Sequence, residues 1–170
     1  MRSVFITLLV YVLAMRAFEV ARSKRNEVRV LARGGRRVDK DGFVGIVLVH
    51  TAWIVGMIVE ELMVGPSFQS AFLRFLAFIL FVASEILRLW CIITLGDRWN
   101  VRVIVTGKRP VMTGPYAVVD HPNYWAVLIG LVALPLSMGL VWSALLVIPA
   151  KLIALFFRIR IENEALRGTS

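Results

Sequence analysis

The sequence predicts an all-α integral membrane protein: one domain of five transmembrane helices, the last two forming a C-terminal helical hairpin, followed by a cytoplasmic terminal helix. Three observations predict it. Hydrophobic residues make up 59% of the 170 residues and mean hydropathy is +0.78, above the roughly 45–50% apolar content of globular chains. The apolar residues fall in runs close to the ~20 residues that cross a hydrocarbon core of roughly 30 Å. The cations behind the net charge of +9 gather in the gaps between those runs. There they mark loops on the cytoplasmic side, next to anionic lipid.

That clustering favours a membrane topology over nucleic acid as the meaning of the charge. The lone Cys91 excludes an intrachain disulfide and any Cys-based zinc site, and inside an apolar run it reads as a small packing residue.

The first span covers residues 4–21. Met1-Arg2 followed by an apolar run has the look of a signal peptide, but Arg16 and Glu19 stand where a cleavage site needs small neutral residues. An uncleaved helix is expected, with Arg16 and Glu19 paired at i,i+3. Residues 22–42 form a polar loop rich in arginine, with a turn at Gly34-Gly35. No aromatics are interleaved with its charges, so nothing there offers stacking to a nucleic acid.

The second span, 43–64, contains His50 and ends in Glu60-Glu61. A short turn without Lys or Arg leads to the third span, 71–95. It holds Glu85 and Arg88, again an i,i+3 pair, and ionisable groups at membrane depth normally face the bundle interior. A second polar loop follows over 96–122. Residues 123–157 are then apolar for a length too great for one span, broken by Pro135, Ser137 and Gly139. They read as two short spans, 123–138 and 140–157, in a tight hairpin. A charged helix from Arg158 leaves the membrane. Basic residues crowd one set of connections and are absent from the other, which predicts the N-terminus outside and the C-terminus in the cytoplasm. Both polar loops and the terminal helix then share one side, as a joint site over residues 96–170 requires.

The chemistry-bearing residues are few. The stretch 107–124 holds Gly114-Pro115-Tyr116 and Asp120-His121-Pro122-Asn123-Tyr124. Pro122 suits the first position of a helix, which puts Asp120 near its N-cap. In Arg158-Ile-Arg-Ile-Glu162-Asn-Glu164 the pairs 158/162 and 160/164 are i,i+4 and point to different helix faces. One pair can look into the bundle while the other meets water. No metal motif, Walker loop or nucleophile elbow is present, and no metal site is expected.

Gly114-Pro115-Tyr116, then His121-Pro122-Asn123-Tyr124, a helical hairpin and Arg158-x-x-x-Glu162, in that order, resemble the isoprenylcysteine carboxyl methyltransferase family over residues 95–166. The N-terminal part, with Arg16, Glu19, Asn26, Gly34 and His50, resembles a short bacterial branch linked to alkylpyrone or alkylresorcinol O-methylation. The resemblance implies a membrane enzyme that uses S-adenosyl-L-methionine. It also implies roles. Lys108, Arg109, Pro110, Val111, Tyr116, His121, Pro122, Asn123, Tyr124 and Glu162 would bind that cofactor. Arg158 and Glu162 would be catalytic, with Arg158 facing the substrate. Two positions depart from the family pattern: Asp120 stands where an arginine usually precedes His-Pro, and Asn163 where a second glutamate usually follows the first.

The implied function is O-methylation, on a carboxylate or acidic hydroxyl, of a lipophilic small-molecule or prenylated acceptor at the membrane. Such an acceptor is ionised or nearly so at neutral pH, which fits the lack of a catalytic triad. Membrane lipid is the expected surrounding partner and nucleic acid is not. Two alternatives are an NADPH-dependent membrane sterol or enone reductase, for which the C-terminus offers few phosphate-binding cations, and a non-enzymatic membrane scaffold.

Overall fold

The structure is a computed structural model that describes residues 2–38, 42–107 and 110–167, with side chains as far as residue 165. Five α-helices carry the described fold: α1 (Arg2–Ala32), α2 (Phe43–Met63), α3 (Ala71–Leu95), α4 (Pro122–Met138) and α5 (Val141–Arg167). Two short strands, β1 (Arg36–Arg37) and β2 (Ile104–Val105), form an antiparallel pair. By length and composition α1, α2 and α3 can each cross a membrane, and α4 is a shorter apolar helix. Several apolar helices of this kind describe a multi-pass membrane protein.

The predicted hairpin is present. α4 runs through Pro135 and ends at Gly139, whose φ of 82° is left-handed. A Cβ there would lie 2.9 Å from the Pro66 side chain and 3.0 Å from the Phe68 carbonyl. Gly139 O also accepts from Ser67 N at 2.8 Å. The two turns that lack basic residues therefore touch, at one end of the bundle. Glu60 joins them to the start of α5: its carboxylate accepts from the backbone N–H groups of Trp142 and Ser143 at 3.0 and 2.7 Å. Those are amides that the first turn of a helix leaves without intrahelical partners.

The opposite end differs from expectation in two ways. Residues 22–32 are helical, not loop: α1 continues past the apolar run to Ala32. The reason is a face at helical spacing, Ser23, Asn26 and Val30, all buried. Asn26 Nδ2 donates to the carbonyls of Gly96 and Trp99 at 3.1 and 2.7 Å, and Val101 N donates to Ser23 Oγ at 3.0 Å. Arg29 and Arg33 reach Asp97 at 3.0 and 3.3 Å. The extension of α1 thus holds the start of the second polar loop, and the β1–β2 pairing joins the two polar loops to each other. Second, α5 is continuous from Val141 to Arg167, so what was expected as a fifth span and a separate charged terminal helix is one element. As expected, Pro122 opens α4, with Asp120 just ahead of the N-cap His121, whose φ is 55° and which makes no side-chain cap.

Within the helices the charged residues pair both along α1 and between α1 and α3. Arg16 and Glu19 meet at 2.9 Å, as their spacing predicts. Glu85 and Arg88 do not form the expected i,i+3 pair. Arg88 instead binds the carboxylate of Glu19 on α1, while Glu85 accepts from the Tyr11 hydroxyl at 3.1 Å and lies 3.8 Å from Arg16. Two residues three apart on a helix can reach each other, but here a neighbouring helix offers each of them a buried partner. The apolar run read over 123–157 also contains Lys151, which is 2% exposed.

Candidate active site

The second polar loop and the end of α5 enclose a cleft of about 610 Å³. The loop is shaped in stages. Gly96 ends α3, a 3-10 turn over Gly96–Arg98 follows, and Trp99 is buried. A second 3-10 turn, Gly114–Ala117, presents Tyr116. It needs glycine at its start: Gly114 has φ 56°, and a Cβ would lie 2.8 Å from Thr94 Oγ1 and 3.2 Å from Trp90 Nε1 of α3. Pro122 then opens α4, and its first turn carries Asn123 and Tyr124.

Tyr124 joins the two walls. Its hydroxyl donates to Glu162 Oε2 at 2.6 Å and accepts from Arg158 Nε at 3.4 Å. Arg158 Nη2 also donates to the carbonyl of Val101 at 2.7 Å, and the side chain is 3% exposed. The His121 ring stacks on that of Tyr124 with centroids 5.3 Å apart, and His121 Nδ1 lies 3.8 Å from Glu162 Oε2. Glu162 keeps 30% of its side chain accessible and His121 27%. Arg160, by contrast, pairs with Glu164 on the outer face, where both are largely exposed. The two i,i+4 pairs therefore look opposite ways, one into the cleft and one to water.

Two polar atoms in the cleft wall are buried without a hydrogen-bond partner among the described residues, Asn123 Oδ1 and Trp99 Nε1. One is an acceptor and one a donor. Buried groups of this kind are uncommon in a finished interior and call for a ligand or water. Burial, together with the nearby Cys91 thiol, pushes the Tyr116 phenol well above its ordinary range, so it stays neutral and able to donate.

Of the expected site residues, Pro110, Val111, Tyr116, His121, Asn123, Tyr124, Arg158 and Glu162 line this one cleft. Pro122 is buried behind the lining and sets the start of α4. Lys108 and Arg109 lie outside the described residues. Asp120, the departure from the family pattern, lines the cleft as well, and so do residues not expected there, among them Arg98, Trp99, Asn100 and Arg102. No motif marks Trp99 and Asn100, which follow the polar Gly96-Asp97-Arg98 in the sequence. No group of residues suited to a metal is found among the described residues.

The family model described as "Isoprenylcysteine carboxyl methyltransferase (ICMT) family" matches residues 76–168, more than half of the chain. The chain belongs to the isoprenylcysteine carboxyl methyltransferase family. Enzymes of this family are methyltransferases that use S-adenosylmethionine. The match runs from α3 to the end of α5 and so takes in the whole described cleft. Similarity to curated proteins extends further. The chain is 30% identical to "Uncharacterized protein YpbQ" of Bacillus subtilis (strain 168), over 98% of each chain. It is 26% identical to an "Uncharacterized protein" of Haemophilus influenzae, over 91% of this chain and 90% of that one. No solved structure matches significantly.

Proposed function

We propose that the chain is an S-adenosylmethionine-dependent O-methyltransferase that acts on a carboxylate or acidic hydroxyl of a lipophilic acceptor in the membrane. The observation that carries this reading is the junction at Tyr124. A carboxylate half open to the cleft, a stacked His–Tyr pair and a buried guanidinium meet within one hydrogen-bonded group. The residues suit the cofactor. Glu162 offers a carboxylate to its ammonium, the His121 and Tyr124 rings offer π faces to a cation, and Asn123 Oδ1 is an acceptor that lacks a donor.

When bound, S-adenosylmethionine supplies an electrophilic methyl group on a sulfonium centre. The chain's own contribution is positioning, which can account for much of the acceleration of an in-line displacement. Arg158 is fixed by Val101 O and the Tyr124 hydroxyl, and from there it orients an oxyanionic acceptor through charge-assisted hydrogen bonds. An acceptor that arrives ionised needs no strong base. Tyr116, held neutral by burial, is a donor to the cofactor or the acceptor.

The orientation that fits the basic loops has the N-terminus outside and the C-terminus in the cytoplasm, in the cytoplasmic membrane. Acceptors of the alkylpyrone and alkylresorcinol type are the first to try. The test is transfer of labelled methyl from S-adenosylmethionine, in purified membranes, to a prenylcysteine, an alkylpyrone and a phospholipid amine. Label on the oxygen acceptors supports the reading. Thermal stabilisation by NADPH with none by S-adenosylmethionine would replace it with a reductase.

A further inference from the structure

The cleft has an extension on its membrane side. A second cavity of about 260 Å³ lies among α1, α2, α4 and α5, and the two share Trp99, Asn100, Asn123, Tyr124 and Arg158. Its charged lining is unbalanced: Arg16, Arg88, Lys151 and Arg158 face one carboxylate, Glu19. Glu19 is already held by Arg16 and Arg88. Arg158 is bound to Tyr124 and Val101.

Lys151 differs from these. It is 2% exposed and stands ten residues into α5, roughly 15 Å along the axis at 1.5 Å per residue. Among the described residues it makes no hydrogen bond or ion pair, and the charges that act on it, Arg16 and Arg158, are like its own. An ammonium so placed costs several kcal/mol unless an anion or a polar cavity meets it. Lys151 and Arg158 are seven apart on α5, hence on one face, and both line this cavity.

The cavity also has a lipid side. Leu13 and Val20 of α1 and Val47 of α2 line it while remaining 47%, 50% and 43% exposed. α2 packs chiefly on α5, and its backbone comes close to that of α1 in few places. A long apolar tail can therefore lie between α1 and α2 while its head group sits inside.

We propose that this lower cavity receives the acceptor's head group, and that Lys151, with Arg158, binds an ionised oxygen there and selects an anionic amphiphile drawn from the bilayer. The assignment of the amphiphile as acceptor rests on the methyltransferase reading. A neutral amphiphile of equal length leaves Lys151 without a counter-charge, so selectivity follows from charge and not from chain length.

The test uses the full chain in lipid nanodiscs, with Lys151→Met, which keeps an unbranched side chain, and Lys151→Arg, which keeps the charge. Photo-crosslinking with diazirine-tailed palmitate and diazirine-tailed hexadecanol is mapped by mass spectrometry. Palmitate is expected to label the cavity lining at least about tenfold more than hexadecanol, with the excess lost in Lys151→Met and regained in Lys151→Arg. S-adenosylmethionine affinity should stay within about twofold in both variants, which also reports an intact fold, while the KM of an anionic acceptor rises at least about tenfold in Lys151→Met with kcat little changed. Equal labelling of the wild type by palmitate and hexadecanol overturns the proposal whatever the variants do, and so does equal palmitate labelling of wild type and a folded Lys151→Met. If labelling depends on Lys151 but the wild type neither binds S-adenosylmethionine nor transfers methyl, the methyltransferase reading fails and the anion site stands. If methyl is transferred but labelling ignores Lys151, the anion site alone fails.

Discussion

The cluster at membrane depth and the cleft at the polar end hold similar residues in opposite conditions. In the cluster, Glu19 is surrounded by Arg16 and Arg88, and Glu85 meets Tyr11 and Arg16. The carboxylates there are turned toward other side chains of the bundle. In the cleft, Glu162 makes a short hydrogen bond to Tyr124 but keeps 30% of its side chain accessible, and Asn123 and Trp99 carry polar atoms with no partner. Charges that neutralise one another hold helices together. Hydrogen-bonding groups left available to a cavity mark where a ligand goes.

That contrast can be broken or sharpened by substitution. The largest effect is expected at Glu19. Glu19→Gln leaves the Arg88 guanidinium buried without its counter-charge and should cost about 3–5 kcal/mol of stability, read from unfolding in detergent. Replacing both partners, Glu19→Leu with Arg88→Met, should recover most of it. A stable Glu19→Gln protein that cannot transfer methyl would move the cluster from scaffold to site.

Gly114→Ala comes next. With a left-handed φ and Thr94 Oγ1 only 2.8 Å from the new methyl, it should cost about 1–3 kcal/mol and weaken cofactor affinity by displacing Tyr116. Unchanged affinity would detach Tyr116 from the pocket. Tyr124→Phe removes the hydroxyl shared by Glu162 and Arg158. Cofactor affinity should fall about tenfold, consistent with the 1.5–3 kcal/mol of a hydrogen bond to a charged group, with the fold retained in circular dichroism. The smallest effect belongs to the outer pair: Arg160→Ala and Glu164→Ala should each change stability by no more than about 0.5 kcal/mol and leave titrations with cofactor untouched. A large loss of binding there would mean that α5 presents its other face to the cleft.

The contrast also explains how far the sequence could be read. The boundaries of α2, α3 and α4 follow from apolar runs ended by Gly, Pro or charge, and the hairpin follows from Gly139. What was not legible depended on partners distant in sequence. Residues 22–32 are rich in arginine and look like loop, yet Ser23 and Asn26 find their bonds some 70 residues away in the loop after α3. The Arg88–Glu19 pairing is a choice between two reachable carboxylates that only packing decides. Pro122 opens α4 as its residue type predicts, whereas the left-handed φ of His121 and the place of Asp120 in the cleft lining had no signal in the sequence. Within the cleft, the residues singled out by the family resemblance were legible as a group, while Trp99, Asn100 and Arg102 carried no comparable motif. Lys151 was readable in principle. A lysine inside an apolar run is a signal in its own right, one that averaging over the run conceals.

The central claim is that the proposed cofactor pocket has the loop, with His121, as one wall and the end of α5, with Glu162, as the other. Its most direct test is a calorimetric titration of S-adenosylmethionine into the wild type, Glu162→Gln and His121→Ala, each shown to be inserted and folded. The wild type should bind, and both variants should lose binding by roughly 30-fold or more, the scale of one charged hydrogen bond. Wild-type affinity in both folded variants would contradict the account.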